Sequence, residues 1–437
     1  MLRRAIFASC LVILEVSIGI ASARAQSSPP TSSFRLAAVE FTGLSRFTKA
    51  QASAASGLRV GDSITASQLT VAADGLSRSG VFESVSYKFV TRGEELTATF
   101  AVVENKNFLP CSFDNFVWFS PEQIDKTLRL RVPLYAGLTP QTGDTQKMIK
   151  EALRNLLQSN GINGDVDVIP FSAGLSGPVA GIQFRVTGIA MPIRTANFPA
   201  SSAVSEKELQ IAAAQVIGRN FSTSEMTEFS SVGLLPLYRQ RGYLRAAFEA
   251  PQAAIIGNPP NGTPPDIALT IPVKEGVQYF WEKSEWSGNR QFPTDALEKT
   301  LGMKSKEIAN QAKIDAGFDS VKKGYDKSGF IDATVQPTES IDDTTRLAAY
   351  SVTIHEGRQY HMGHLQFAGI PDKIANDLVS KWKLKPGDIY DAAYLKEFLQ
   401  KVAFPKLFEM KVTNTRPNIK LQRNEQNATV DVEISFH

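Results

Sequence analysis

One short pattern sets the architecture of this chain. A helix-like run ends at a glycine, and a branched or aromatic residue follows within two positions. It reads Ser77-Arg78-Ser79-Gly80-Val81-Phe82, Gln158-Ser159-Asn160-Gly161-Ile162, Arg239-Gln240-Arg241-Gly242-Tyr243-Leu244 and Asp326-Lys327-Ser328-Gly329-Phe330-Ile331. Gly80, Gly161, Gly242 and Gly329 stand 81, 81 and 87 residues apart. A helix that stops sharply puts its next residue in the left-handed region, where any side chain with a Cβ is strained. The chain therefore reads as an array of like units, each hung on one helix-to-strand corner.

A chain of 437 residues, 43% of them hydrophobic, has too much apolar surface for one core and is expected to form several domains. Basic and acidic residues number 47 and 44, with no long run of one sign, so nucleic-acid binding is not indicated. Met1-Leu2-Arg3-Arg4, the apolar run Ala5 to Leu14 and Ala23-Arg24-Ala25 form an export signal with cleavage expected after Ala25. The alternative is an uncleaved anchor over Ala5 to Ala23, which Glu15 disfavours. Cys10 would leave with the signal, so Cys111 would be the single thiol of an exported chain and no disulfide could staple it.

Each unit reads strand, helix, helix, strand, strand. Leu69, Ala72, Ala73 and Leu76 make a helical stripe before Gly80, as do Met148, Ile149, Ala152, Leu153, Leu156 and Leu157 before Gly161. Val85, Tyr87 and Phe89 alternate with polar residues after the first corner. After the third and fourth corners, strands are expected over Tyr243 to Glu249 and Phe330 to Val335. Phe41-Thr42-Gly43, Trp286-Ser287-Gly288 and Phe367-Ala368-Gly369 mark the end of a first strand, while Val102-Val103-Glu104, Lys274-Glu275-Gly276 and His355-Glu356-Gly357 close a unit. Pro236 should interrupt its helix and Pro272 should limit strand pairing. The boundaries expected are a linker at 26–33 and units at 34–105, 106–189, 190–276, 277–357 and 358–437. In the fifth unit Lys406 stands where the corner glycine belongs. The fold class is α+β: five tandem three-stranded sheets, each with two helices on one face, in an elongated array.

This series resembles POTRA (polypeptide-transport-associated) repeats, above all the periplasmic part of BamA-type outer-membrane assembly factors. The resemblance is carried by the aromatic-x-Gly endings and the glycine corners. The second unit departs from it, with Phe116-Val117-Trp118-Phe119 in place of the turn glycine, and so does the third, with Asn197-Phe198-Pro199. The family continues into a membrane β-barrel, whereas this sequence ends on the last strand of the fifth unit and is expected to lack one. The resemblance implies a periplasmic, non-enzymatic scaffold that binds unfolded or extended outer-membrane or secreted polypeptides by strand addition, with a barrel supplied by another chain. The alternative is an envelope-bridging protein that uses such units for partner contact, as the FtsQ type does.

In that family the second strand is an edge that accepts a partner strand. Carried over here, it names Val85, Tyr87 and Phe89, Tyr243 and Leu244, and Ile331, Thr334 and Val335 as partner-binding residues. The residues offer no catalytic constellation, cofactor loop or small-molecule site. His361 and His364 lie three apart on a strand, on opposite faces, which makes joint metal ligation poor. Lys381-Trp382-Lys383-Leu384-Lys385 reads as a helix end with its lysines in water.

Overall fold

The structure, a computed structural model, describes residues 33–172, 174, 177–260, 263–409 and 417–436. The expected export segment and nearly all of the linker lie outside the described residues. The described residues part into two compact units, one drawn from 33–111, 125–152 and 174–180, the other from 112–124, 153–172 and 181–436.

The first sheet sets the plan. Strand β1 (Phe34–Thr42) leads to α1 (Lys49–Ser56), β2 (Ser63–Ile64), α2 (Ala66–Arg78), β3 (Phe82–Arg92) and β4 (Glu95–Glu104). Strand order is β2-β1-β4-β3, with β1 parallel to β4 and β3 antiparallel to it. Thr48 starts α1 through a capping box with Gln51. Leu69, Ala72, Ala73 and Leu76 form one face of α2, and that face closes over Leu36, Leu96, Ala98 and Phe100. Each of these side chains is almost wholly buried, and each leucine, like Phe100, stabilises the layer by about 1.5–3 kcal/mol.

The second sheet repeats the order with β5 (Phe108–Asp114), α3 (Pro121–Arg131), β6 (Leu138–Pro140), α4 (Thr145–Ser159), β7 (Asp165–Ser172) and β8 (Val179–Thr187), arranged β6-β5-β8-β7. The third has β9 (Ile193–Asn197), α5 (Glu206–Ala213), α6 (Thr223–Phe229), α7 (Leu235–Arg239) and four short strands, β10 (Ala247–Phe248), β11 (Gln252–Ile255), β12 (Ile267–Thr270) and β13 (Val273–Lys274). Order is β11-β12-β9, with β10 and β13 as a separate ribbon. Pro251 and Pro272 interrupt what would otherwise be one hairpin, since neither can donate to a ladder.

The fourth sheet has β14 (Phe280–Ser287), α8 (Thr294–Leu301), α9 (Gln311–Lys327), β15 (Thr334–Asp342) and β16 (Leu347–His355), ordered β14-β16-β15. The fifth has β17 (His361–Ala368), α10 (Asp372–Lys381), α11 (Ala392–Phe398), α12 (Phe404–Glu409), β18 (Pro417–Asn424) and β19 (Thr429–Phe436), ordered β17-β19-β18. In the third and fifth layers the second helix carries a π turn, Ser230–Leu234 and Leu399–Ala403, ending two residues before Pro236 and Pro405. A proline there has no N–H for the usual bond, and the wider turn absorbs the missing register. The chain is thus an α+β protein made of layers with helices on one face of small mixed sheets.

Three expectations are corrected. The first and second sheets have four strands, because the segment after the first helix adds a short strand beside the first one. After Gly242 and Gly329 the chain does not pair at once: Ala246 N–H bonds to the Tyr243 carbonyl and Ala333 N–H to the Phe330 carbonyl, each making a further turn. Strands start only at Ala247 and Thr334, so Tyr243, Leu244 and Ile331 are not edge-strand residues. Lys406 lies inside α12, not at a corner, and the link from Glu409 to Pro417 falls outside the described residues.

One buried charge joins the second and third layers. The Asp114 carboxylate is fully buried and accepts bonds from Arg185 Nε at 2.8 Å, Ser222 Oγ at 2.8 Å and the Thr223 backbone N–H. It thereby supplements Ser222, the capping residue of α6.

Candidate partner-binding edges

A mixed three-stranded layer has two edges, and the structure treats them differently. The edge formed by the first strand is covered at its start in every layer. Ser63–Ile64 pairs with Phe34 and Arg35, Leu138–Pro140 with Phe108 to Pro110, and single bridges join Asn220 to Pro192, Ile308 to Phe280 and Ile389 to His361. The opposite edge is β3, β7, β11, β15 or β18, each a terminal strand of its sheet.

These edges differ in how well they are blunted. Pro170 lies within β7 and Pro337 within β15, and β11 is only four residues long. Each removes donors that an added strand would need. Strand β3 runs for 11 residues without a proline. Val85 and Tyr87 are half-buried over the core, and the Tyr87 hydroxyl lies 2.8 Å from Thr70 Oγ1. Phe89 and Val90 are 42% and 60% exposed. In β18 only the first residue is a proline, and Ile419 and Leu421 are each 40% exposed. That strand was not singled out from the sequence, although Ile419-Lys420-Leu421-Gln422 alternates at the strand period. Thr334 and Val335 open β15 on the proline-blunted edge, with Val335 packed on the core of its own layer.

The remaining predicted edge residues do other work. Leu244 packs into the core of the fourth layer and Ile331 against that of the fifth. They belong to two joints built alike. The Gly242 carbonyl accepts the Tyr279 N–H at 2.8 Å, and Gln278 Nε2 donates to the Arg241 carbonyl at 2.9 Å. One layer on, the Gly329 carbonyl accepts the Tyr360 N–H at 2.8 Å, and Gln359 Nε2 donates to the Ser328 carbonyl at 2.9 Å. Arg245 meets Asp343 at 3.2 Å, and Arg423 meets Asp332 at 2.5 Å. Tyr279 also donates to Asp343 at 2.6 Å; burial and that carboxylate push its phenol pKa up. Both glycines have positive φ, +80° and +82°, and a Cβ would lie 2.7 Å from the Tyr279 carbonyl oxygen or 2.6 Å from that of Tyr360. Gly80 and Gly161 also have positive φ. The readable signal for this joint was the recurrence Glu275-Gly276-Val277-Gln278-Tyr279 and Glu356-Gly357-Arg358-Gln359-Tyr360.

The strand-closing glutamates form a second device that the sequence pattern only marked. Glu104 accepts from the N–H groups of Ser45 at 2.8 Å, Arg46 at 2.9 Å and Phe47 at 3.2 Å. Glu275 accepts from Ser202 at 2.6 Å and Ala203 at 2.8 Å, and Glu356 from Arg290 and Gln291 at 2.7 Å each. Each clamps the loop that leads into a first helix to the end of the last strand. Burial alone would raise the pKa values of Glu104 and Glu275, but the hydrogen bonds outweigh it and hold both below the ordinary carboxylate value. A depressed folded pKa gives stability that is complete above the unfolded pKa and lost as pH falls through the folded one. Melting temperature is therefore expected to drop as pH falls from about 5 toward 3. In the Glu104→Gln, Glu275→Gln double variant that drop should be shallower; an unchanged acid limb in thermal melts would show that the clamps do not carry it.

No group of three His, Cys, Asp or Glu able to hold a metal occurs among the described residues. His364 is exposed, with its ring 3.3 Å from Asp431, and His361 sits at the start of β17. Cys111 is half-buried, and burial pushes its thiol up to about 12. No described helix is long and apolar enough to cross a membrane.

Comparison with known proteins places residues 279–357 in the family model POTRA, described as a surface antigen variable number repeat. A Treponema pallidum (strain Nichols) protein, named provisionally as an outer membrane protein assembly factor, is 22% identical over 217 residues, half of this chain and 26% of that protein. The chain thus spans about a quarter of that relative's length. Among solved structures, POTRA3-5 of Haemophilus influenzae BamA matches with 18% identity and a TM-score of 0.43, covering 56% of this chain and 96% of that one. POTRA1-3 of Anabaena Omp85 matches with 13% identity and a TM-score of 0.25, covering 57% and 94%.

Proposed function

We propose that this chain, a POTRA-repeat protein, acts in the periplasm as a non-enzymatic scaffold for outer-membrane protein assembly, and that it holds extended client segments by strand addition. One observation carries the reading: every first-strand edge is partly capped, while β3 leaves an 11-residue, proline-free edge open. Backbone groups along such an edge supply affinity without demanding a sequence, and the half-buried Val85 and Tyr87 with exposed Phe89 favour apolar-alternating clients. Segments of unfolded barrel proteins have that alternation. A barrel would come from a separate chain or from further sequence.

The test uses a fluorescent peptide of one barrel strand and two variants, Ser86→Pro and Tyr87→Pro. Neighbouring strand residues point their N–H groups to opposite sides, so one of the two prolines removes an outward donor and leaves the ladder to β4 intact. The variant that keeps the native circular dichroism spectrum is expected to bind the peptide about tenfold more weakly or worse. Equal binding by that variant and the unaltered protein would refute client addition at β3.

A further inference from the structure

Residues of the second and third layers share one pocket. Trp118 and Phe119 lie just before α3, shortly after Asn115, whose positive φ of 53° stands in for the turn glycine that follows the first strand elsewhere, and Gly257 to Pro260 and Thr263 belong to the connection from β11 to β12. Together with Asn160, Ile162 and Asn163, which flank the Gly161 corner, they line an open pocket of about 320 Å³. That is at the small end of the range for ligand sites, roughly 300–1,000 Å³.

The lining contains no charged residue. It offers no counter-charge to a phosphate, carboxylate or amine. It does offer three amide side chains, Asn160, Asn163 and Asn258, beside the rings of Trp118 and Phe119. Asn160 spends its Nδ2 on the Leu156 carbonyl at 2.8 Å and keeps its oxygen. Asn163 and Asn258 are exposed and Trp118 is half-buried, so both amides are open to solvent at the pocket. Ile162, Ile189 and Ile255 provide the apolar part of the wall.

We infer that this pocket binds a neutral, acetamido-bearing oligosaccharide. Each asparagine amide both donates and accepts, which matches hydroxyl and acetamido groups, themselves donor and acceptor at once. The electron-rich ring faces suit the weakly positive C–H face of a pyranose. The isoleucines suit an acetyl methyl group. An added peptide strand fits poorly, because Pro259 and Pro260 on the wall have no N–H to give.

The test is an amide-resolved NMR titration of the mature full-length protein with chitotriose and, separately, with cellotriose, which lacks acetamido groups. Chitotriose is expected to shift the Trp118 indole and the Asn163 and Asn258 side-chain signals saturably. Cellotriose should bind at least about tenfold more weakly, and so should chitotriose to the Asn163→Ala, Asn258→Ala double variant. Trp118→Phe identifies the indole signal among the four tryptophans. No saturable shift with either sugar, equal response to both, an undiminished double variant, or tighter binding of a proline-rich peptide at the same signals would overturn the assignment. The native spectrum of the rest of the chain checks each variant's fold.

Discussion

Replacing Asp114 by alanine is expected to be among the most damaging single changes in the molecule. Its carboxylate is fully buried, and it answers three donors at once: Arg185, the Ser222 hydroxyl and the first backbone N–H of α6. Removing one partner of a buried pair costs about 3–5 kcal/mol, because the remaining charge keeps its desolvation penalty. Arg185 retains 28% of its side-chain exposure and can turn partly to water, which places the expected loss near the lower figure, about 3 kcal/mol. Asp114→Asn keeps an oxygen for Thr223 but turns its NH2 group toward Arg185 and leaves that charge unpaired, so it should cost nearly as much, about 2–3 kcal/mol. A chain of several layers need not unfold in one step, so a local readout is required. Hydrogen exchange at the α6 amides is expected to speed up in proportion to the loss in Asp114→Ala, with protection in β16 unchanged. Equal protection of α6 in both proteins would show that the buried carboxylate does not hold the joint.

Gly329→Ala is the second large effect, and Gly302→Ala is its control. Both glycines have positive φ, +82° and +74°. An alanine Cβ at position 302 would find nothing closer than 3.9 Å, so only the conformational cost of about 1 kcal/mol applies. At position 329 the Cβ would sit 2.6 Å from the Tyr360 carbonyl oxygen, a backbone atom that cannot swing away. Relief requires breaking the Tyr360 N–H bond to the Gly329 carbonyl and shifting the Gln359 amide from Ser328. That adds about 1–3 kcal/mol for two partly buried hydrogen bonds. Calorimetry should show Gly329→Ala melting well below Gly302→Ala, with early loss of protection at Tyr360. Equal melting of the two would mean that the corner glycine serves only its own backbone angle.

Much of this layering was legible in the sequence. The stripe Leu69, Ala72, Ala73 and Leu76 could only be a helix face, and Val430, Val432 and Ile434 alternate as β19 does. The corners were legible as helix stops, because glycine is nearly the sole residue at ease there. The turn beyond each corner was not. Leu244 and Ile331 look like strand residues because they are apolar and branched or long, yet they are apolar because they fill a neighbouring core. Burial between layers and burial within a strand leave the same mark on a sequence. The open edge was likewise invisible: strand order is a non-local property, and the second strand's exposure came only from the family likeness. Proline placement in β7 and β15 was readable, but its meaning depended on knowing that those strands are edges. The glutamate clamps were visible as a recurrence without a role, since their partners lie about 60 to 70 residues away.

The proposed role of β3 is that of an open edge that receives a client strand. Its most direct measurement is amide hydrogen exchange along residues 82–92 with and without a barrel-strand peptide. Every second amide of β3 is expected to exchange freely in the unliganded protein and to become protected when the peptide is bound, while the other amides, paired with β4, stay protected throughout. Peptide binding that leaves the alternate β3 amides unprotected, or protects amides elsewhere in the chain instead, would contradict it.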